Sequence, residues 1–371
     1  MQKKYIRGKF AEALLFLVDN LAIAVDEYAL AQIKALCDFQ AMEGNVIRIM
    51  PDVHPGNACV VGLTMVLTAD AVMPNLVGAD IGCGVSVSRI EKYTENFTRL
   101  DRVIADKVPS GFAIHDKALT YDSLNELCCA RHVQLEKARR SLGTLGGGNH
   151  FCEIARDSDD ARYLVIHTGS RHLGKEVCEW YLKQGKKDGV PYELTWIQGD
   201  IREQYLHDMK IVQDFACANR LQIAQAIAKG MKWKLSDTWE SVHNYIDFSG
   251  NRPILRKGAI SAAEGERVII PINMRDGSLV GFGKGNAEWN WSAPHGSGRI
   301  QSRAKIREQF TLSAFKKAMK GVYSTCVAKE TLDEAPFAYR PEKDIAEALR
   351  DTVEIRAILR PVYNFKAGSK Q

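Results

Sequence analysis

The apolar positions of this chain change period several times, and each change predicts an element. In DEYALAQIKALCDFQAM (26–42), Leu30, Ile33 and Leu36 share one helical face and acids open the run, which predicts a helix. VIRIMPDVHPG and CVVGLTMVLTADAV alternate and are rich in β-branched residues, predicting strands around a turn. NFTRLDRVIADKV and part of 123–141 predict helices, and the glycine-rich turn LGTLGGGNH leads into a strand at FCEI. RYLVIHTG predicts an apolar strand, followed by a helix over SRHLGKEVCEWYLKQGKK. The longest helical stretch covers 200–231, as one or two helices. Short strand-like runs follow (ESVHNYIDF, PILRKGAI, RVIIPINM, SLVGFGKG), then a helix near 342–351 and an extended TVEIRAILRPVYNF. Strands gather in clusters with helices between them, without the regular alternation of a parallel sheet, so the expected class is α+β. No repeat, low-complexity run or clear linker interrupts 1–371, and a single large mixed domain is expected.

Composition narrows the class without naming a function. With 46% hydrophobic and 26% charged residues the chain is ordinary globular material. A formal net charge of +5 permits a polyanionic partner without demanding one. Nine cysteines, an odd count with irregular spacing, argue against a disulfide framework. The opening MQKKYIRGKFAEALLFLVDNLAIAV joins a basic stretch to an apolar one. Asp19 and Asn20 interrupt it and no small-residue cleavage site follows, so it reads poorly as a signal peptide. Nothing else approaches ~18 consecutive apolar residues. A reduced, cytoplasmic protein with no membrane span is expected.

The chemistry sits in short strings. VGADIGCG (77–84) places Asp80 and Cys83 three positions apart among three glycines, and matches neither G-x-G-x-x-G nor the phosphate loop. Four of the nine histidines share a context: His150 in GGGNHF, His167 in VIHTGSR, His243 in SVHNYI and His295 in SAPHGSGR. Each lies where an apolar run meets a glycine-rich or polar turn, the kind of place where rigid strands position what loops present. Taken singly, such a histidine is a hydrogen-bonding residue at a strand end, and VGADIGCG is a tight turn around a buried thiol. Taken together, a carboxylate, a thiolate and three imidazoles can hold one or two divalent cations. Separations of ~17 to ~80 residues are too long for a zinc finger and suit a site assembled from several strands. Donor type leaves the metal open, since thiolate and imidazole favour zinc while carboxylate and water suit manganese or magnesium. A thiolate can also bridge two cations, and a pair ~3.5–4 Å apart could clamp both oxygens of a phosphoryl displacement. HGSGRIQSRAK puts His295 before two glycines and then Arg299, Arg303 and Lys305. Arginine forks suit phosphate oxygens, and imidazole can attack phosphorus, so His295 reads as a nucleophile, as a further metal ligand, or as part of a structural turn. The residues alone point to a metal-dependent phosphoryl-transfer or hydrolytic enzyme.

The strings MPDVHPG, VGADIGCG, LGTLGGGNHFCEI, VIHTGSRHLG, VHNY, RKGAISA, IIP, HGSGR and APFAYR occur in the order found in the RtcB family. From about residue 45 onward the chain resembles these GTP-using RNA ligases, and looks most like the shorter bacterial members associated with RNA repair. The resemblance implies two manganese ions (Mn²⁺) bridged by Cys83, with Asp80 and His150 completing the ligands of one and His167 and His243 those of the other. On this view the glycines of 77–84 clear space for the cations and a triphosphate. His295 would attack the α-phosphate of GTP to give histidine–GMP and pyrophosphate, with Asp52 orienting it or handling a proton. The guanylate would pass to an RNA 3′-phosphate, and a 5′-hydroxyl would displace GMP; a 2′,3′-cyclic phosphate would be opened first. Asn149 would contact phosphate, Phe151 would lie against guanine, and Glu153, Ser278, Tyr339 and Lys366 would contact the guanosine. Arg171 and Arg299 would hold RNA. The implied partners are RNAs with such ends, for example tRNA halves or cleaved rRNA, with an activating protein left open.

Some positions depart from the family pattern. Asn273 stands in IIPINMRDGS where many members carry serine, which alters part of the nucleotide contact. MPDVHPGNA has Asn57 and Ala58 in place of a lysine-bearing GKG, and the 110–140 segment is short. The tail FKAGSKQ runs past the usual ending, so Lys366 rather than Lys370 is taken as the family lysine. The main alternative is a metal-dependent RNA phosphoesterase without ligation, which leaves His295 and the guanosine set without a role. A non-catalytic RNA-binding or metal-storage protein is the other, and no RNA-binding aromatic motif supports it.

Overall fold

The computed structural model describes residues 2–18, 25–68, 70–185 and 191–367. Helices alternate with clusters of strands that form three sheets, and the class is α+β. One sheet of six strands runs in the order Gln2–Arg7, Glu12–Leu17, Val46–His54, Val61–Val66, Ile254–Lys257, Asn244–Asp247. A sheet of seven runs Arg267–Asn273, Gly277–Gly283, Val353–Phe365, Phe151–Arg156, Arg162–Thr168, Gly84–Glu91, Lys234–Val242. Ala259–Ser261 and Ser292–Pro294 pair as a short ribbon. Among these strands only Glu12–Leu17 and Val46–His54 pair in parallel.

The opening segment is a hairpin. Gln2–Arg7 pairs antiparallel with Glu12–Leu17 at the edge of the six-stranded sheet. Its outermost strand buries only Ile6 and exposes Lys3, Lys4 and Arg7, charges that discourage another chain from adding to the edge. Asp19 and Asn20 lie outside the described residues. The 26–42 run is helical over Glu27–Cys37, with the Asp26 side chain accepting from the Tyr28 amide, and ends in a short 3₁₀ turn at Gln40–Met42. Within 123–141 only Leu135–Ser141 is α-helical. The long stretch is a single helix, Asp200–Met231. Its Tyr205, Met209, Val212 and Phe215 enter one apolar cluster, and Ile223, Ile227 and Met231 another. Gly230 lets the helix Phe97–Lys107 approach closely, because a Cβ there would meet Val103 Cγ1 at 2.4 Å. No helix among the described residues is long and apolar enough to cross a membrane.

One departure from the sequence pattern bears on the site. ESVHNYIDF is not one strand: Lys234–Val242 belongs to the seven-stranded sheet and Asn244–Asp247 to the six-stranded one. His243 is the joint where the chain crosses between them.

Candidate active site

Antiparallel register explains why distant residues meet. Across the seven-stranded sheet Phe151 pairs with His167, His167 with Val85, and Gly84 with Val242. His150, His167, Cys83 and His243 therefore sit side by side where four adjacent strands end. Cys83 Sγ lies 3.6 Å from His150 Nε2 and 3.4 Å from His167 Nε2. His167 Nε2 is 3.4 Å from His243 Nε2, and His150 Nε2 is 3.4 Å from Asp80 Oδ2. Ligands around one cation with bonds of about 2.0–2.3 Å sit roughly 3.3–3.8 Å apart, so the order Asp80, His150, Cys83, His167, His243 has the spacing of donors around neighbouring cations. The thiol is in the middle.

The surroundings prepare these groups to bind metal. His150 Nδ1–H donates to the Leu145 carbonyl at 3.0 Å and His167 Nδ1–H to the Asn149 carbonyl at 3.1 Å. A carbonyl can only accept, so each Nε2 is left as a lone pair facing Cys83. Burial holds His167 and His243 well below the ordinary imidazole range, which keeps them neutral. Burial, and then the Asp80 charge, push the Cys83 thiol well above its usual range; a bound cation would draw that proton off. Burial would raise Asp80, but the polar neighbours His150, Cys83 and His167 together outweigh it and lower the carboxyl. The Asp80 side chain is 40% exposed, so the donor chain opens to solvent at that end. The residues present fit a two-cation centre.

The loops carrying the donors are pinned from the long helix. Buried Arg220 donates through Nη1 to the carbonyls of Gly82 and Thr168, both at 2.9 Å, while Glu240 receives its other nitrogens. Asn219 accepts from the amides of Gly143 and Thr144 and donates to the carbonyls of Thr144 and Gly169. Two of the three glycines of 77–84, Gly82 and Gly84, have a packing role. A Cβ on Gly82 would strike Gln213 Cα at 2.8 Å and one on Gly84 would strike Ser241 O at 2.7 Å, so these two bring the loop against helix and strand. The glycine that makes room beside the donors is Gly169, whose Cβ would lie 2.2 Å from Asp80 Oδ1. A second cluster of donors, Cys128, His207 and Asp208, has its carboxylate already engaged by the amides of Cys128 and Cys129 and by the Tyr181 hydroxyl.

His295 follows the Ser292–Pro294 strand, and its ring centroid is 4.9 Å from that of His243. Its Nδ1–H donates to Asp52 Oδ2 at 2.8 Å, so that in the neutral ring Nε2 carries the lone pair. Asp52 is buried near the end of Val46–His54, and Gly298 packs against its backbone, where a Cβ would meet the Asp52 carbonyl oxygen at 2.8 Å. The HGSGR loop thus wraps Asp52 and holds the imidazole on it.

A cavity of about 460 Å³ adjoins this pair and is lined by His167, His243 and His295, together with Asn149, Phe151, Glu153, Asn273, Ser278, Arg299, Tyr339 and Lys366. Volumes of roughly 300–1,000 Å³ are usual for small-molecule sites. Lys366 Nζ lies 5.5 Å from the Phe151 ring centroid and donates to Glu334 Oε2 at 2.7 Å; Lys370 is outside the described residues. Glu153 accepts from Asn364 Nδ2 at 2.8 Å through Oε2, while its buried Oε1 has no partner among the described residues. Burial raises this carboxyl to about 8 against the hydrogen bond from Asn364. The side chain of Asn273 is committed to its own turn, accepting from the amides of Arg275 and Asp276 and donating to Asp276 Oδ2 at 2.8 Å. Arg299 turns inward, donating to Glu334 Oε1 and the Tyr339 hydroxyl, with its guanidinium carbon 5.0 Å from the Tyr339 ring centroid. Arg171 ties the glycine-rich turn, donating to Thr144 Oγ1 at 3.1 Å and the Gly111 carbonyl at 2.9 Å.

Asn364 lines the cavity and Glu334 binds two residues that do, Arg299 and Lys366; the motifs singled out neither. Burial opposes ionisation of Glu334, but Lys366, Arg303 and Arg299 outweigh it and hold the carboxyl at about 2. Its signal was the acid pair directly before APFAYR, and that of Asn364 was a polar residue in an apolar run two places before Lys366.

A family profile described as "tRNA-splicing ligase RtcB" matches residues 32–131 and 123–367. The chain belongs to the RtcB family of RNA ligases. It is 29% identical to the RNA-splicing ligase RtcB of Escherichia coli (strain K12), covering 85% of this chain and 88% of the relative. It is 26% identical to the RNA-splicing ligase RtcB2 of a second Escherichia coli strain (ATCC 25922), covering 99% of both chains. The tRNA-splicing ligase RtcB of Nanoarchaeum equitans is 28% identical over 83% of this chain and 84% of its own. RtcB membership makes the protein an RNA ligase.

Proposed function

We propose that the protein joins an RNA 3′-phosphate to a 5′-hydroxyl, using GTP and two manganese ions, through a histidine–GMP intermediate on His295. The observation that carries the reading is the position of His295: its Nδ1 is bound by Asp52 and its ring adjoins His243, at the wall shared by the donor chain and the cavity. Cations on Asp80, Cys83, His150, His167 and His243 would neutralise phosphate charge. His295 Nε2 attacks the α-phosphorus; a P–N bond forms, the α–β P–O bond breaks and pyrophosphate leaves. Asp52 faces the positive charge that develops on the ring. An oxygen of the RNA 3′-phosphate then attacks the guanylyl phosphorus and the P–N bond breaks, restoring His295. The 5′-hydroxyl oxygen attacks the activated 3′-phosphorus, GMP leaves, and the hydroxyl proton passes to solvent. A cyclic phosphate end would first be opened by water.

Guanine is favoured over adenine by the cavity's polar wall. Glu153 Oε1, unpartnered among the described residues, and the buried Ser278 hydroxyl suit the donor edge of guanine, and Phe151 offers an apolar face capped by Lys366. A carboxyl at about 8 is largely protonated at neutral pH, yet guanine N–H groups need an acceptor. GTP binding therefore expels the Glu153 proton. In His295→Ala protein, GTP affinity is expected to rise toward tenfold per pH unit from about pH 6 to 8 and then level off. Equilibrium dialysis checks this, and Glu153→Gln should flatten the slope.

The activity test is direct. An RNA ending in 3′-phosphate and another beginning with 5′-hydroxyl, as in tRNA halves or cleaved rRNA, should be joined only when GTP and Mn²⁺ are both present. Phosphate release without joining or protein labelling would favour the phosphoesterase reading. A single folding unit is proposed with it, since Asp52 comes from the six-stranded sheet and most of the metal donors from the seven-stranded one.

A further inference from the structure

Asn364 is 1% exposed, a polar residue near the end of an otherwise apolar stretch of strand, and it lines the cavity together with Glu153. Its place is set by the backbone. Between the strands Val353–Phe365 and Phe151–Arg156, Pro361 pairs with Ala155 but Tyr363 with Ile154, so Val362 is an extra residue on one side. A bulge of this kind re-aims the side chains that follow it. Unbroken register would have put Tyr363 opposite Glu153; the bulge puts Asn364 there. Tyr363 then joins the apolar cluster of Cys152 and Ile154, while Asn364 shares the face of Phe151 and Glu153. The main chain is held from its other side too. The Asn364 amide donates to the Tyr323 carbonyl and the Tyr323 amide to the Val362 carbonyl, both at 3.0 Å.

The side chain so placed is only half used. Nδ2 donates to Glu153 Oε2 at 2.8 Å, whereas Asn364 Oδ1 and Glu153 Oε1 are buried with no partner among the described residues. An ionised carboxylate can only accept, so it holds Nδ2 toward itself and leaves Oδ1 for something else. Two neighbouring acceptors buried without donors are unfavourable until a ligand supplies the donors. Guanine carries two adjacent donors on one edge, N1–H and the 2-amino group. Adenine has an acceptor beside its amino group instead.

We infer that Asn364 is a specificity-determining residue for guanine, its Oδ1 accepting from the 2-amino group while Glu153 Oε1 accepts from N1–H. The inference deepens the GTP reading above and rests on it for the identity of the base. The Nδ2 bond gives Asn364 a second task, holding the Glu153 carboxylate in place for the base. Ser278 is the weaker match for the 2-amino group, because a hydroxyl meets donors and acceptors alike and so discriminates less.

The test compares GTP with inosine triphosphate, which keeps N1–H and lacks the 2-amino group. Affinities are measured by equilibrium dialysis on manganese-loaded protein carrying His295→Ala, so that guanylyl transfer does not pull the binding. With Asn364 present, GTP should bind at least about tenfold more tightly, because the analogue leaves a buried acceptor unpaired. Adding Asn364→Ala should bring the two affinities nearly together, chiefly by weakening GTP. Adding Glu153→Gln should weaken both nucleotides and keep their ratio, since both carry N1–H. A melting temperature that still rises with manganese shows that the Asn364→Ala protein is folded. Equal affinity for the two nucleotides with Asn364 in place would overturn the inference without any variant at 364. A GTP preference that survives Asn364→Ala would overturn it as well and assign the amino group to another acceptor. Labelling of His295 is measured separately in the wild type. Protein that prefers GTP but takes no label would refute the guanylyl-transfer reading and leave the Asn364 contact standing, whereas label without the preference would do the reverse.

Discussion

His295→Ala protein, incubated with manganese and GTP radiolabelled at the α-phosphate, is expected to carry no label, where the wild type carries about one guanylate per chain. The loss should be at least about a thousandfold, since deleting a covalent nucleophile removes the step itself rather than tuning it. The geometry behind this is specific. Asp52 fixes the imidazole with Nδ1 protonated, so Nε2 is the nucleophilic atom, and no other histidine meets both the cavity and a buried carboxylate. Asp52→Asn keeps the size but loses the charge facing the forming imidazolium, and should slow labelling roughly 10²–10⁴-fold without changing GTP affinity much. Gel autoradiography measures both. Label that survives in His295→Ala would move the nucleophile to another residue. Acid lability of the wild-type label is a second check, because a P–N bond to imidazole hydrolyses in acid.

Cys83→Ala is expected to empty the metal centre. Its sulfur stands 3.4–3.6 Å from the Nε2 atoms of His150 and His167, the donors on either side of it, so its removal withdraws a ligand from both proposed cations at once. Dialysed wild type should retain about two manganese ions per chain by mass spectrometry of metals, and the mutant fewer than one. A readout free of activity is the melting temperature. Manganese binds only the folded state and should raise it in the wild type, while leaving Cys83→Ala unmoved. Two retained ions in the mutant would contradict a shared thiolate. Asp80→Ala, which touches one end of the donor chain, should lose one ion and keep the other.

Much of the site was legible because its chemistry lies in short strings at strand ends. The glycine-rich turn before Phe151 and the HGSGR loop both marked places where the chain stops being regular, and the structure puts a histidine at each. The strand clusters gave the α+β class. Sequence pattern missed the hairpin Gln2–Leu17, because its outer strand buries a single residue and its inner one is apolar on both faces, so neither alternates. Nor could it reveal that His243 joins two sheets, since ESVHNYIDF reads as one continuous run. Glu334 escaped for a related reason: a carboxylate is recognisable as buried and ionised only once Lys366, Arg303 and Arg299 are seen to converge on it. The role of Gly169 was equally hidden, because the close approach it permits is to Asp80, nearly ninety positions away in sequence.

The most direct test is anomalous diffraction from crystals of the whole chain soaked with manganese and GTP. Two manganese peaks about 3.5–4 Å apart, with Cys83 Sγ between them and continuous density from His295 Nε2 to the α-phosphorus, are the expected result. A single peak remote from Cys83, or a guanylate attached to some other side chain while His295 stays on Asp52 out of reach of phosphorus, would contradict it.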